Sequence, residues 1–243
     1  MSTKIMMSAS SEQMRDKDLH YLEVRSLKKV FSMRDGTKLP VVDVPTFNIR
    51  AGQQLAIFGK SGSGKSTFLN LLAGILKANS GSIKIDNTDL TELPESGRDL
   101  MRSKVMGYVF QSFHLLQGCT ALENVLVAMA VSGNANEEKA KELLTFVGMS
   151  ERENSLPAQL SIGQQQRVGI ARALANSPKL ILADEPTGSL DPENASRSIE
   201  LLKSLCKANG CALIVVSHDP NIINCFEHAM KWEDLNKVGK EDK

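Results

Sequence analysis

The chain has 243 residues, 42% hydrophobic and 23% charged, with a formal net charge of +1. That is the make-up of one large globular domain or two small lobes, and it argues against a broad basic face for nucleic acid. No apolar run approaches the roughly 20 residues needed to cross a bilayer.

The first 18 residues, "MSTKIMMSASSEQMRDKD", hold no apolar block of signal-peptide length and read as a disordered lead-in. "YLEVRSLKKVF" (21–31) and the short apolar "QLAIFG" (54–59 with Gln53 before it) read as strands. "KSTFLNLLAGIL" follows at helical spacing, and "GSIKID" alternates like a strand. Residues 97–104 read as a helix and "MGYVFQ" as a further strand. From Thr120 to Gly148 the pattern is helical, broken near "SGNAN", so residues 111–160 are expected to form a helical subdomain set into an α/β core.

Ser161 and Gln164 stand in the Ser-x-x-Gln spacing of a capping box, which starts a helix at Ile162 with its first-turn amides free for an anion. The strand "KLILAD", a helix from Pro192 to Asn209, the buried strand "CALIVVSHD" and a short helix after Pro220 complete the series. Residues 233–243 are expected to be a polar tail, leaving 19–232 as the folded domain. Strands alternating with helices imply an α/β, mostly parallel, doubly wound sheet. Cys119, Cys206, Cys211 and Cys225 lack C-x-x-C spacing and are expected to be reduced thiols. His20, His114 and His228 read as surface or packing residues.

Between the second strand and its helix lies "GKSGSGKST", which matches G-x-x-x-x-G-K-[ST]. Glycines let Gly59, Lys60, Ser61, Gly62, Ser63 and Gly64 turn so that amides point into one hollow at a helix N-terminus, a seat for a β-phosphate. Lys65 can reach the β and γ oxygens, the Ser66 hydroxyl can hold Mg²⁺, and Thr67 can touch an α-phosphate. At the end of "LILADEP", Asp184 has a reason to end a buried strand if Mg²⁺ waits beside it, and Glu185 can polarise a water aimed at the γ-phosphate.

Three motifs in order, "GKSGSGKST", "LSIGQQQR" and "LILADEPTGSLD", resemble the nucleotide-binding subunit of an ATP-binding cassette (ABC) transporter over roughly residues 21–230. The resemblance implies the P-loop NTPase fold of ABC ATPases, with an added small antiparallel β part, and ATP with Mg²⁺ as cofactors. It implies that Gln111 links nucleotide and metal to the helical subdomain, that Asp191 in "SLD" crosses a dimer interface, that His218 reaches the γ-phosphate, and that Phe31 in "KKVF" stacks on adenine unless it only packs. It also answers what the helix at 162 is for: Ser161, Gly163 and Gln164 would cap the γ-phosphate held by the opposite subunit.

Two positions depart from the family pattern: Ile162 stands where glycine is usual, and Lys60 where proline is common. "FQSFHLLQGCTALENV" and "ADEPTGSLD" are closest to the ATPases of lipoprotein-release, macrolide-export and cell-division complexes, the LolD, MacB and FtsE types. The expected partners are therefore a second cassette, as a homodimer or paired ABC subunit, and separate integral-membrane permeases. These would hold the chain at the cytoplasmic face of the membrane. Phe113, Leu115, Leu116 and Leu122 are candidates either for a permease helix to dock on or for plain subdomain core. Rival readings are an ATP-controlled scaffold, a general import or export ATPase, a DNA- or ribosome-acting cassette, and a kinase. The near-neutral charge disfavours the nucleic-acid reading, and a kinase has no use for residues 160–164.

Overall fold

The computed structural model describes residues 20–239; the expected lead-in, 1–18, lies outside them. β1 (His20–Ser32) and β2 (Lys38–Arg50) form a long antiparallel hairpin. β3 (Gln54–Phe58) leads into α1 (Lys65–Leu72), and β4 (Ser80–Ile85) and β5 (Thr88–Asp89) follow. Two sheets result. The antiparallel one has the order β2-β1-β4-β5. Pro40 and Pro45 are tolerated in β2 because it is an edge strand with one unpaired side. Asp86 and Asn87, at φ 47° and 64°, make the tight left-handed turn from β4 into β5.

α2 (Glu95–Val105), β6 (Met106–Val109), α3 (Ala121–Val131) and α4 (Glu137–Phe146) come next. α5 (Ile162–Leu174), β7 (Leu180–Asp184), α6 (Pro192–Ala208) and β8 (Ala212–Ser217) carry the chain back through the second sheet. α7 (Pro220–Asn224), β9 (Ala229–Lys231) and α8 (Trp232–Leu235) close it. The second sheet runs β6-β7-β8-β3-β9 with every neighbouring pair parallel.

Two apolar cores lie on the faces of this parallel sheet, and the strands divide their side chains between them with period two. Leu180 and Leu182 of β7 and Ile214 and Val216 of β8 join α1 and the antiparallel sheet in one core. Ile181 and Ala183, with Leu213 and Val215, join α3, α4, α5 and α6 in the other. Burial on both faces explains why these strands read as continuous apolar runs rather than alternating ones.

The structure corrects two boundaries. α1 stops at Leu72, short of the expected "AGIL" extension, because Gly74 turns at φ 64° and the amides of both Ile75 and Leu76 return to the Asn70 carbonyl. Residues 233–239 do not hang off as a polar tail. Trp232, Leu235 and Asn236 are buried, and the Asn236 side chain bonds to β2 at the Asp43 amide (2.8 Å) and the Val41 carbonyl (3.0 Å). The four cysteines are free thiols, Cys206 and Cys211 fully buried. Among the described residues no helix is long and apolar enough to cross a membrane.

Candidate active site

β3, β8 and β7 are neighbours in the parallel sheet, and each ends in a segment singled out from sequence. The carboxyl ends of parallel strands are where open α/β sheets gather their ligand-binding loops. After β3 the chain turns through residues 59–64 into α1. Gly64 is the N-cap of α1 at φ 104°, no side chain caps this end, and no acidic residue lies in the first turn. The first amides of α1 are thus left to an outside acceptor. A Cβ on Gly64 would stand 2.8 Å from the Val41 carbonyl oxygen, so only glycine fits between the loop and β2.

Lys65 is buried, and its Nζ donates to the carbonyls of Gly59 and Lys60, each at 2.8 Å. The ammonium is thereby drawn back over its own loop. Ser63 Oγ donates to the Lys60 carbonyl at 2.7 Å. Ser61 and Lys60 are exposed, Thr67 is half-buried, and Ser66 Oγ donates to Asp184 Oδ1 at 2.8 Å. The predicted hydroxyl and the predicted carboxylate therefore meet across two strands. Burial raises the Asp184 pKa above the ordinary carboxylate value, against smaller lowering effects of the Ser66 hydrogen bond and the Lys65 charge.

Glu185 has φ 43°, a strained value for a residue with a side chain. Its amide donates to the Val216 carbonyl and its carbonyl accepts from the Gly188 amide, while Gln166 Nε2 donates to the next carbonyl, that of Pro186, at 2.7 Å. These bonds pin the turn. Both carboxylate oxygens are engaged: Oε2 accepts from Ser217 Oγ at 3.1 Å and the His218 amide at 3.3 Å, and Oε1 lies 2.7 Å from His218 Nδ1. The imidazole predicted to face phosphate is thus held through Nδ1 by the predicted base.

Gln111 is exposed just past β6, its Nε2 3.2 Å from where a Cβ on Gly188 would sit, so it lies against the turn that begins at Glu185. Phe113 and His114 then take φ 56° and 48°. Arg172 of α5 clamps this loop, Nη1 donating to the His114 carbonyl at 2.6 Å and Nη2 to that of Phe113. Phe31 is half-buried on β1 opposite Leu39, with Lys29 Nζ 5.0 Å from its ring centroid.

The capping box is present: Gln164 Oε1 accepts from the Ser161 amide at 2.9 Å, and Ser161 Oγ accepts from the Gln164 amide at 3.3 Å. Ser161 and Ile162 are exposed, and Gly163 has no neighbour near its Cβ position. Among the described residues no hydrogen bond joins 161–164 to 59–67. Asp191 caps α6 by accepting from the Asn194 amide at 3.1 Å, and that residue's side chain and amide hold the exposed carboxyl below its usual pKa.

Of the apolar set, Phe113, Leu115 and Leu122 are buried and serve the subdomain core, and only Leu116 is largely exposed. An apolar groove of about 490 Å³ lies elsewhere, between α2, α3 and α5, lined by Ile75, Arg102, Tyr108, Phe110, Val131 and Asn176 among others. Gln166, Arg172, Ser217 and Trp232 escaped the sequence reading. Each acts through a partner distant in sequence, and only the solitary tryptophan carries any signal of its own.

The sequence profile of the ABC transporter family matches residues 42–188. A lipoprotein-releasing system ATP-binding protein LolD from Treponema denticola is 44% identical over 211 residues, covering 86% of this chain and 93% of that protein. LolD of Chromohalobacter salexigens is 39% identical, covering 87% and 90%. The macrolide export ATP-binding/permease protein MacB of Syntrophobacter fumaroxidans is 35% identical over 88% of this chain but only 30% of its own length. Among solved structures, the dimeric ATP-binding cassette MJ0796 in a post-hydrolysis state bound to ADP and Pi superposes with a TM-score of 0.80 at 35% identity, covering 91% of this chain and 98% of that one.

Proposed function

The chain belongs to the ABC transporter family, and from that premise we propose that it is the ATP-hydrolysing subunit of a transporter of the lipoprotein-releasing type, working in pairs on separate membrane permeases. The observation that carries this reading is the convergence of Lys65 and Ser66, His218, and Asp184 and Glu185 at the ends of three neighbouring parallel strands.

In this reading the amides of residues 59–67 and the start of α1 seat the phosphates of ATP, and Lys65 exchanges its two loop carbonyls for β- and γ-phosphate oxygens. Ser66 and Asp184 offer hard oxygen donors to Mg²⁺, which needs few protein ligands when phosphate and water supply the rest. The raised pKa of Asp184 fits a carboxylate set out to meet a cation, and Gln111 completes the metal side of the pocket. When bound, the ion neutralises charge on the phosphates.

Glu185 takes a proton from the attacking water, and Ser217 and His218 keep its carboxylate aimed. His218 Nε2 can donate toward the γ-phosphate when the ring carries a proton on each nitrogen, with Nδ1–H held by Glu185. Phe31 offers a face to adenine. Ser161, Gly163 and Gln164, with the dipole of α5, cap the γ-phosphate in the opposite subunit, and Asp191 lies along the same seam. Hydrolysis removes the shared phosphate and lets the two subunits part. Ile162 is exposed on the surface of the single chain beside Ser161.

The groove between α2, α3 and α5 is the docking place for a short cytoplasmic helix of the permease, in place of the Phe113–Leu122 set. This would put the chain at the inner face of the membrane. Purification of the tagged chain from its own cells in detergent tests the reading: an integral-membrane protein with a large extracytoplasmic part is expected to co-purify. Val131→Glu, in the groove wall and 72% exposed in the isolated chain, should reduce that recovery at least about tenfold, in line with a charge buried at an interface, and leave ATP binding intact. Recovery of the chain alone, at any detergent and ATP level, would refute the transporter assignment.

A further inference from the structure

Trp232 and the start of the expected polar tail, from Glu233, close on the phosphate loop. Trp232, the single tryptophan of the chain, is 1% exposed and packs against Phe68 of α1 with ring centroids 5.2 Å apart. Its Nε1 donates to the Ser63 carbonyl at 2.7 Å. A buried indole N–H needs an acceptor, and here the phosphate loop supplies it. Glu233 Oε1 accepts from the Lys60 amide at 3.3 Å. The two backbones are in close approach here: a Cβ on Gly59 would fall 2.9 Å from Trp232 Cβ and 3.1 Å from the Glu233 carboxylate.

The same segment is pinned at its other end. Asn236 bonds to the Asp43 amide and the Val41 carbonyl of β2, and the Lys237 amide donates to the Asp43 carbonyl at 2.7 Å. The Val41 carbonyl is also the atom that a side chain at position 64 would strike. Phosphate loop, C-terminal segment and edge strand therefore meet at one seam, lined by Pro40, Val41, Ser63, Trp232 and Asn236.

We propose that residues 232–236 are a clasp that presets the phosphate loop and ties it to the antiparallel sheet, so that the C-terminal segment sets the affinity for nucleotide. The proposal rests on the reading of residues 59–67 as the ATP cradle. Trp232 is a positioning residue: it acts through the Ser63 carbonyl and touches no phosphate itself. A loop already held in shape loses less conformational freedom when a ligand arrives, so loosening the clasp weakens binding more than it slows chemistry.

Two variants of the full chain test this. Trp232→Phe keeps a six-membered aromatic ring and loses the five-membered ring with its N–H donor; the affinity for a non-hydrolysable ATP analogue, measured by calorimetry, should fall about tenfold, as for a lost buried hydrogen bond. KM for ATP should rise in step, with turnover at saturation within about twofold of the parent. Asn236→Ala should act in the same direction and decides the matter if Trp232→Phe does not fold. Affinities of the folded variants within twofold of the parent would overturn the clasp. Lys65→Ala separates the two readings. If it binds the analogue as well as the parent does, the cradle itself is wrong. If it loses binding while the clasp variants keep theirs, only the clasp falls.

Discussion

Glu185 shows how much structure is spent on one side chain. Its backbone is left-handed, a conformation that costs about 1–3 kcal/mol for a residue with a Cβ, and bonds from Gln166, Gly188 and Val216 hold it there. Its two oxygens are shared among Ser217 and His218. Glu185→Gln keeps the shape and removes the proposed base, so turnover should fall at least about 100-fold. The uncleaved triphosphate should hold the subunits as an ATP-dependent dimer in light scattering; a monomer at saturating ATP would contradict the role.

One residue earlier the electrostatics differ. Burial raises the pKa of Asp184 above its unfolded value, so its contribution to stability is present at low pH and is lost as pH rises through the raised pKa. Asp184→Asn should therefore melt higher than the parent at neutral pH. The gap should close below the ordinary carboxylate pKa of about 4, and ATP turnover should be lost. Thermal scans across this range, with turnover, check both parts.

α5 is the element on which the most depends. Its first turn is capped by Ser161 and Gln164, the next turns tie to Pro186 through Gln166, and the last turn ties to the loop after Gln111 through Arg172. One helix thus joins its capped N-terminal end with the loop after β7 and the loop after Gln111. Arg172 is largely buried, and desolvation lowers its pKa, yet it stays charged because two carbonyls receive it. Arg172→Met would strand those carbonyls beside two strained residues. A loss of about 1–3 kcal/mol is expected, seen as a melting temperature several degrees lower, with a drop in turnover as the Gln111 loop loosens. An unchanged melting temperature would show that the clamp carries no stability.

At the scale of the whole molecule, no hydrogen bond among the described residues joins the phosphate loop to the capped end of α5, and in the proposed function a site needs both. Two copies arranged head to tail supply them twice, as closed rotational symmetry between identical subunits allows. A Lys65→Ala copy mixed with a Ser161→Arg copy should recover up to about one quarter of parental turnover. Random pairing makes half the dimers mixed, and each mixed dimer has one of its two sites intact. Either variant alone should be inactive, and Ser161→Arg should still bind ATP in its own loop. Mixtures no more active than the separate variants would rule out the shared site.

The sequence by itself determined the parts whose chemistry is local. The glycine-rich loop, the Ser161–Gln164 box, the acidic end of "LILAD" and the strand–helix alternation each rest on residues a few positions apart, where spacing alone dictates turn, cap or period. β2 was not legible, because two prolines and a polar outer face blur its alternation. Tertiary structure decided the rest. It brought Ser66 to Asp184 across 118 positions and Trp232 to Ser63 across 169, made core of Phe113 and Leu122, and turned an expected polar tail into a wall of the phosphate loop. The physical reason is range: a cap or turn is fixed by bonds within one helical turn, but the partner of a buried donor or ring is set by which strands lie side by side, and periodicity does not encode that order.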